Sequence, residues 1–182
     1  ELIELSKTIG SDPSLIQASG GNISVKSDEG SLYIKSSGTS LGNMSADHGF
    51  CILDNKKIRN YHLSPAASET QYNKDLNSFI IGGYGRPSME AGFHSIINHK
   101  YVIHSHAAYL NVLLCTKEIF KTASNIFKSF ELINFCPPGK LLANEIQNTV
   151  KKNGGDTKIL FLKNHGLITS SNDFNECLET HQ

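Results

Sequence analysis

The stretch Tyr101-Val102-Ile103-His104-Ser105-His106, with the run Ala107 to Cys115 behind it, decides how this chain is read. Residues 101–106 read as a strand, and 107–115 read as a buried helix within the longest uncharged run, Tyr101 to Thr116. Further on, Ile159-Leu160-Phe161-Leu162 is apolar at every position, the pattern of a strand covered on both faces. Asn164-His165-Gly166 interrupts it, and Leu167-Ile168-Thr169 resumes it. Pro137-Pro138-Gly139 precedes a helix over 141–152, and Asp173 to Glu179 begins a last one.

Upstream, Leu2, Ile3, Leu5 and Ile9 have a helical rhythm. Ser19-Gly20-Gly21-Asn22 punctuates the chain before a strand at 23–25. Strands are also expected at 32–34 and 49–53. Residues 56–86 carry Lys, Asn, Ser, Pro and Gly and read as long loops. After Pro87 a helix is expected, with Ser88 as N-cap and Ala91, Phe93, Ile96 and Ile97 as its apolar face. Strands and helices alternate, so the class is α/β with a mixed sheet between helical layers. No domain boundary is visible, and residues 1–182 read as a single domain.

The 182 residues suffice for one hydrophobic core. Seventeen basic and seventeen acidic residues cancel, so the chain lacks the net positive field of a nucleic-acid or anionic-membrane binder. The longest uncharged run is too short and too polar to span a bilayer. Cys51, Cys115, Cys136 and Cys177 are widely spaced and read as free thiols in a reducing cytosol, so the expected location is cytoplasmic. The chain opens at Glu1 and reads as trimmed at one or both ends.

His104 and His106 would share one face of their strand, with Cα atoms roughly 6.5–7 Å apart. Two imidazoles so placed can converge on one divalent cation, and a catalytic zinc site typically takes three protein ligands. His165, at the end of an apolar strand, is a third candidate, because a buried imidazole needs a partner. Glu90, in the first turn after Ser88, is a fourth. His94 lies one turn from Glu90 and suits a supporting or packing role. His48, His62, His99 and His181 read as solvated. Separately, Gly20-Gly21-Asn22 and Lys35-Ser36-Ser37-Gly38-Thr39 sit at strand ends, where successive N–H groups can form a nest for an oxyanion. Ser37 and Ser88 could add hydroxyl donors and Lys35 a point charge.

In order along the chain, Ser19-Gly20-Gly21-Asn22-Ile23-Ser24, Ile34-Lys35-Ser36-Ser37-Gly38-Thr39, Pro87-Ser88-Met89-Glu90, Phe93-His94, Val102 to Ala107 and Phe161 to Ile168 resemble the class II aldolase/adducin family. The resemblance implies a three-layer α/β/α domain with a mixed central sheet, usually assembled as a homotetramer with sites at subunit contacts. It places zinc, or another divalent metal, on His104, His106 and His165. Glu90 becomes a ligand of the resting metal and then the base. A phosphate cradle falls on Gly21, Asn22, Ser37, Gly38 and Ser88, and Lys35 resembles the lysine of the epimerase branch. The implied activity is cleavage of a ketose phosphate through an enediolate. The alternatives are 4-epimerisation, sugar-acid decarboxylation or dehydration at the same metal, or a non-catalytic adducin-like module. Met89 stands where fuculose-phosphate aldolases often carry a second serine. The family's tyrosine some twenty residues beyond the paired histidines is also unmatched, since Phe120, Phe127 and Phe130 occupy that region.

Overall fold

The computed structural model describes residues 1–63 and 68–182. Helix α1 (Leu2–Gly10) leads through Ser19-Gly20-Gly21 into β1 (Asn22–Lys26), which turns at Asp28-Glu29-Gly30 into β2 (Ser31–Lys35). β3 (Phe50–Asp54), α2 (Asn55–Leu63), α3 (Glu69–Ser78) and β4 (Ile80–Gly83) follow. Then come α4 (Ala91–Ile96), β5 (Tyr101–Ser105), α5 (Ala108–Leu114), α6 (Ile119–Ile126) and β6 (Glu131–Ile133). The chain continues with α7 (Lys140–Lys152), β7 (Ile159–Leu162), β8 (Gly166–Ser171) and α8 (Phe174–His181). The strands join in one sheet, ordered β4-β3-β2-β1-β5-β8-β7-β6. It is antiparallel except where β6 runs parallel to β7, so it is mixed, as the sequence reading expects.

Strand alternation sorts the core into layers. Val102, Leu160, Leu162 and Ile168 pack against Phe93 and Ile96 of α4 and Leu142 and Ile146 of α7. Leu32, Ile34 and Leu53 extend that face under α2 and α3. The opposite face packs Ile23, Tyr101 and Ile103 against α1 and α8, and Phe161 and Leu167 against α5 and α6. The arrangement is α/β/α.

Several expectations are corrected. The segment read as long loops holds α2, α3 and β4, while Ser64 to Ala67 lie outside the described residues. Its polarity misleads because α3 buries only two side chains, Tyr72 and Leu76. Helix α4 starts after Glu90, not Ser88; residues 87–90 form a turn in which the Ser88 hydroxyl accepts from the Glu90 N–H at 3.2 Å. α5 is an exposed helix, with Tyr109 85% and Val112 72% accessible, because one narrow edge of it meets the sheet. His62, His99 and His181 are buried rather than solvated, each beside a hydroxyl, carboxylate or ring that its imidazole can meet; His48 is exposed.

Candidate active and metal site

Two strand registers assemble the site. β1 pairs with β5 so that Asn22 faces His104, and β5 pairs with β8 so that His104 faces Ile168. His104 therefore points to the α4–α7 side of the sheet, and His106 follows one residue past the strand on the same side. Between β7 and β8 the chain reverses over Lys163-Asn164-His165, with the His165 N–H donating to the Leu162 carbonyl at 3.0 Å. Asn164 supplies the left-handed residue of this turn at φ 56°, a conformation that asparagine tolerates better than most residues. The turn delivers His165 to the two strand histidines.

Donor nitrogens of His104, His106 and His165 all lie within 4.8 Å of one another. The Nε2 atoms of His104 and His106 are 3.1 Å apart, and the three rings stand 4.9–5.2 Å apart by centroid. A carbonyl only accepts, so the 2.9 Å contact from His104 Nδ1 to the Leu167 carbonyl puts the proton on Nδ1. That leaves the Nε2 lone pair of His104 aimed at the cluster, the protonation state a metal ligand requires. Burial holds His104 down at about 4, against the pull of Glu90, and lowers His106 as well, so both rings are neutral at pH 7. Three imidazoles in this geometry fit a divalent cation.

Glu90 closes the cluster from the start of α4. Its Oε1 lies 3.3 Å from His165 Nε2 and 3.7 Å from His104 Nε2. Its Oε2 accepts from the Asn22 amide at 2.5 Å. Burial would raise this carboxyl; His104, once protonated in acid, and the hydrogen bond from His165 outweigh it and bring the group down to about 2, so it is ionised at pH 7. The Asn22 Oδ1, buried beside Glu90, has no hydrogen-bond partner among the described residues. Behind the site, Phe93 meets His104 edge-on at 5.6 Å and stacks on His94 at 4.6 Å, while His94 Nδ1 pairs with the Ser24 hydroxyl at 2.8 Å.

The space for the rings depends on glycine. A Cβ on Gly166 would stand 2.2 Å from the Ser105 carbonyl oxygen and 3.1 Å from carbons of both strand histidines. One on Gly21 would stand 2.8 Å from the His104 carbonyl oxygen, and its φ of +70° already favours glycine.

Three loops converge here. The Ser36–Pro87 bridge and the bond from the Ser37 N–H to the Arg86 carbonyl at 2.9 Å join the end of β2 to the turn before Glu90. Lys35 donates to the Ser19 carbonyl at 3.1 Å, which draws in the loop before β1. Ser37 and Gly38 are exposed and Ser88 is buried. The Asn22–His104 register, the Asn22–Glu90 bond and the ties from Ser36 and Ser37 to Pro87 and Arg86 bring the sequence-derived candidates to one end of the sheet.

The model of the family "Class II Aldolase and Adducin N-terminal domain" matches residues 1–181. The chain belongs to this family. Among curated relatives, the uncharacterized oxidoreductase YuxG of Bacillus subtilis is 26% identical over 98% of the chain, which spans only 27% of that protein's length. The 3-oxo-tetronate 4-phosphate decarboxylase of Haemophilus influenzae is 24% identical over 84% of the chain and 67% of its own length. Among solved structures, the N-terminal class II aldolase domain of a conserved Thermoplasma acidophilum protein superposes with a TM-score of 0.87 at 27% identity, covering all of this chain and 87% of that one. The family includes aldolases and decarboxylases, and divalent-metal dependence is typical of its enzymes. Among the described residues no helix is long and apolar enough to cross a membrane.

Sequence reasoning missed two elements of the site. One is the Leu167 carbonyl, a main-chain group with no side-chain signature. The other is the steric role of Gly166, whose only trace is its place directly after His165.

Proposed function

We propose that the chain is a zinc-dependent carbon–carbon lyase acting on a phosphorylated keto sugar, with ketose-phosphate aldol cleavage as its leading reaction. The observation that carries this reading is the meeting of three imidazole nitrogens within 4.8 Å beside one buried, ionised carboxylate. His104, His106 and His165 would hold the ion, which when bound supplies Lewis-acid stabilisation of the negative charge that develops on a substrate carbonyl oxygen. Glu90 then moves the proton at the adjacent carbon, as a carboxylate within reach of the reacting atoms can. Asn22 steadies the other carboxylate oxygen and offers Oδ1 to a substrate hydroxyl. The nest at Gly21 and the Gly38 N–H, with the Ser37 and Ser88 hydroxyls, take the phosphate and fix the reacting end by a remote anchor. Active sites at contacts of a homotetramer in the cytoplasm complete the reading.

The similarity to a 3-oxo-tetronate 4-phosphate decarboxylase favours a second reading, loss of carbon dioxide from a phosphorylated 3-oxo sugar acid over the same residues. Zinc-loaded protein assayed against ketose 1-phosphates and 3-oxo acid phosphates separates the two. Release of dihydroxyacetone phosphate supports the first, and release of carbon dioxide supports the second. Turnover of neither class, with metal bound, overturns both.

A further inference from the structure

Lys35 ends β2 and is buried, at 2% exposure for the residue. An ammonium has three N–H donors. The Lys35 Nζ lies 2.8 Å from the Thr39 carbonyl, 3.1 Å from the Ser19 carbonyl and 3.4 Å from the Ser36 carbonyl. These acceptors belong to two different loops, one before β1 and one after β2; the second is also tied to the turn before Glu90 by the Ser36–Pro87 bridge and the Ser37 N–H, whereas the Lys35 ammonium reaches across to the first. A phosphate oxygen could reach this ammonium only by displacing a carbonyl that already holds it. A buried charge that satisfies main-chain acceptors on both sides is suited to fixing a distance.

We propose that Lys35 is a positioning residue, a strut that sets the spacing between the Ser19–Asn22 and Ser36–Thr39 loops and does not itself touch a bound oxyanion. Its consequence for phosphate rests on the reading above; its effect on the loops does not.

The test is hydrogen–deuterium exchange on metal-loaded, ligand-free protein, wild type against Lys35→Met, paired with titration of inorganic phosphate. Exchange in residues 19–22 and 36–39 is expected to quicken by tenfold or more in the variant. Peptides over β5 and β8 should be unchanged, and phosphate affinity should fall in step with the loop loosening. If Lys35→Met does not fold, Lys35→Gln, which keeps an amide donor, is expected to show a smaller loosening of the same loops. Unchanged loop exchange, whether phosphate affinity collapses or stays, overturns the strut; the collapse would mark Lys35 as a direct ligand. Quickened loops in a protein whose wild type does not bind phosphate would uphold the strut while sinking the phosphate cradle.

Discussion

Asn22 and Glu90, one at the start of β1 and the other at the threshold of α4, meet through a single 2.5 Å hydrogen bond from the Asn22 amide to the carboxylate Oε2. The bond leaves Oε1 to face the imidazoles, so the two oxygens have separate work. Glu90→Gln is expected to lower turnover by about 10²–10⁴-fold, the range for a positioned acid–base group. Asn22→Ala should cost about ten- to a hundredfold, since a hydrogen bond to a charged group is worth roughly 1.5–3 kcal/mol and 1.36 kcal/mol is a factor of ten in rate. Steady-state kinetics on zinc-loaded variants, with metal content measured alongside, checks both; full activity in Glu90→Gln would remove the carboxylate from the chemistry.

Metal binding should register as stability. Elemental analysis is expected to find one divalent ion per chain in the wild type and none in His104→Ala or His165→Ala. At a free-metal concentration about a hundredfold above Kd the ion contributes about 2.7 kcal/mol. For a domain of this size that is roughly 5–10 °C of Tm. Chelation should lower the wild-type melt by this amount and leave the two variants where they are. A wild-type melt indifferent to chelator would contradict the ligand assignment.

Gly166→Ala should damage the site without touching a ligand. The added methyl meets the Ser105 carbonyl at 2.2 Å, and no flexible side-chain end is there to yield. The cost is expected to be roughly 1–3 kcal/mol of stability. Metal affinity should fall about 10–100-fold as the rings are displaced, comparable with losing a residue that orients a ligand. Thermal melts with and without zinc separate the two effects.

Buried histidines give the fold an acid limit. Burial, with His104 adding to it, pushes His181 down to about 3, from an unfolded value near 6.5. Between those values the unfolded chain binds the extra proton. The stabilisation is therefore complete above about pH 6.5 and is lost as pH falls toward 3. At pH 5 this one group should have removed about 2 kcal/mol. His181→Asn keeps a polar atom for the Thr169 hydroxyl, which His181 Nδ1 meets at 2.7 Å, and cannot titrate. Urea melts of metal-free protein from pH 7.5 to 5 should show a shallower decline in the variant; parallel slopes would mean the ring is not buried neutral.

Much of this architecture is legible in the sequence because burial leaves periodic traces. Leu160, Phe161 and Leu162 are apolar on successive positions because α7 covers one face and α5–α6 the other. His104 and His106 announce themselves by strand alternation, and His165 by breaking an apolar run. What stays hidden has little side-chain chemistry behind it. α2 and α3 lie at the sheet's edge, where few apolar positions are needed, so their composition imitates a loop. The exposure of α5 is set by what packs on its outer side, which no local pattern encodes. The convergence of the Ser19, Ser36 and Arg86 loops depends on where Lys35 and the Ser37 N–H find main-chain carbonyls and on a bridge at Pro87, and those acceptors leave no side-chain signature.

The group that aims His104 is a carbonyl of the backbone, and it comes with whatever residue occupies position 167. Mutational drift along β8 can thus alter packing while the imidazole keeps its bearing. Laboratory diversification of Leu167 can proceed on the same footing, provided the residue just ahead of it stays without a side chain.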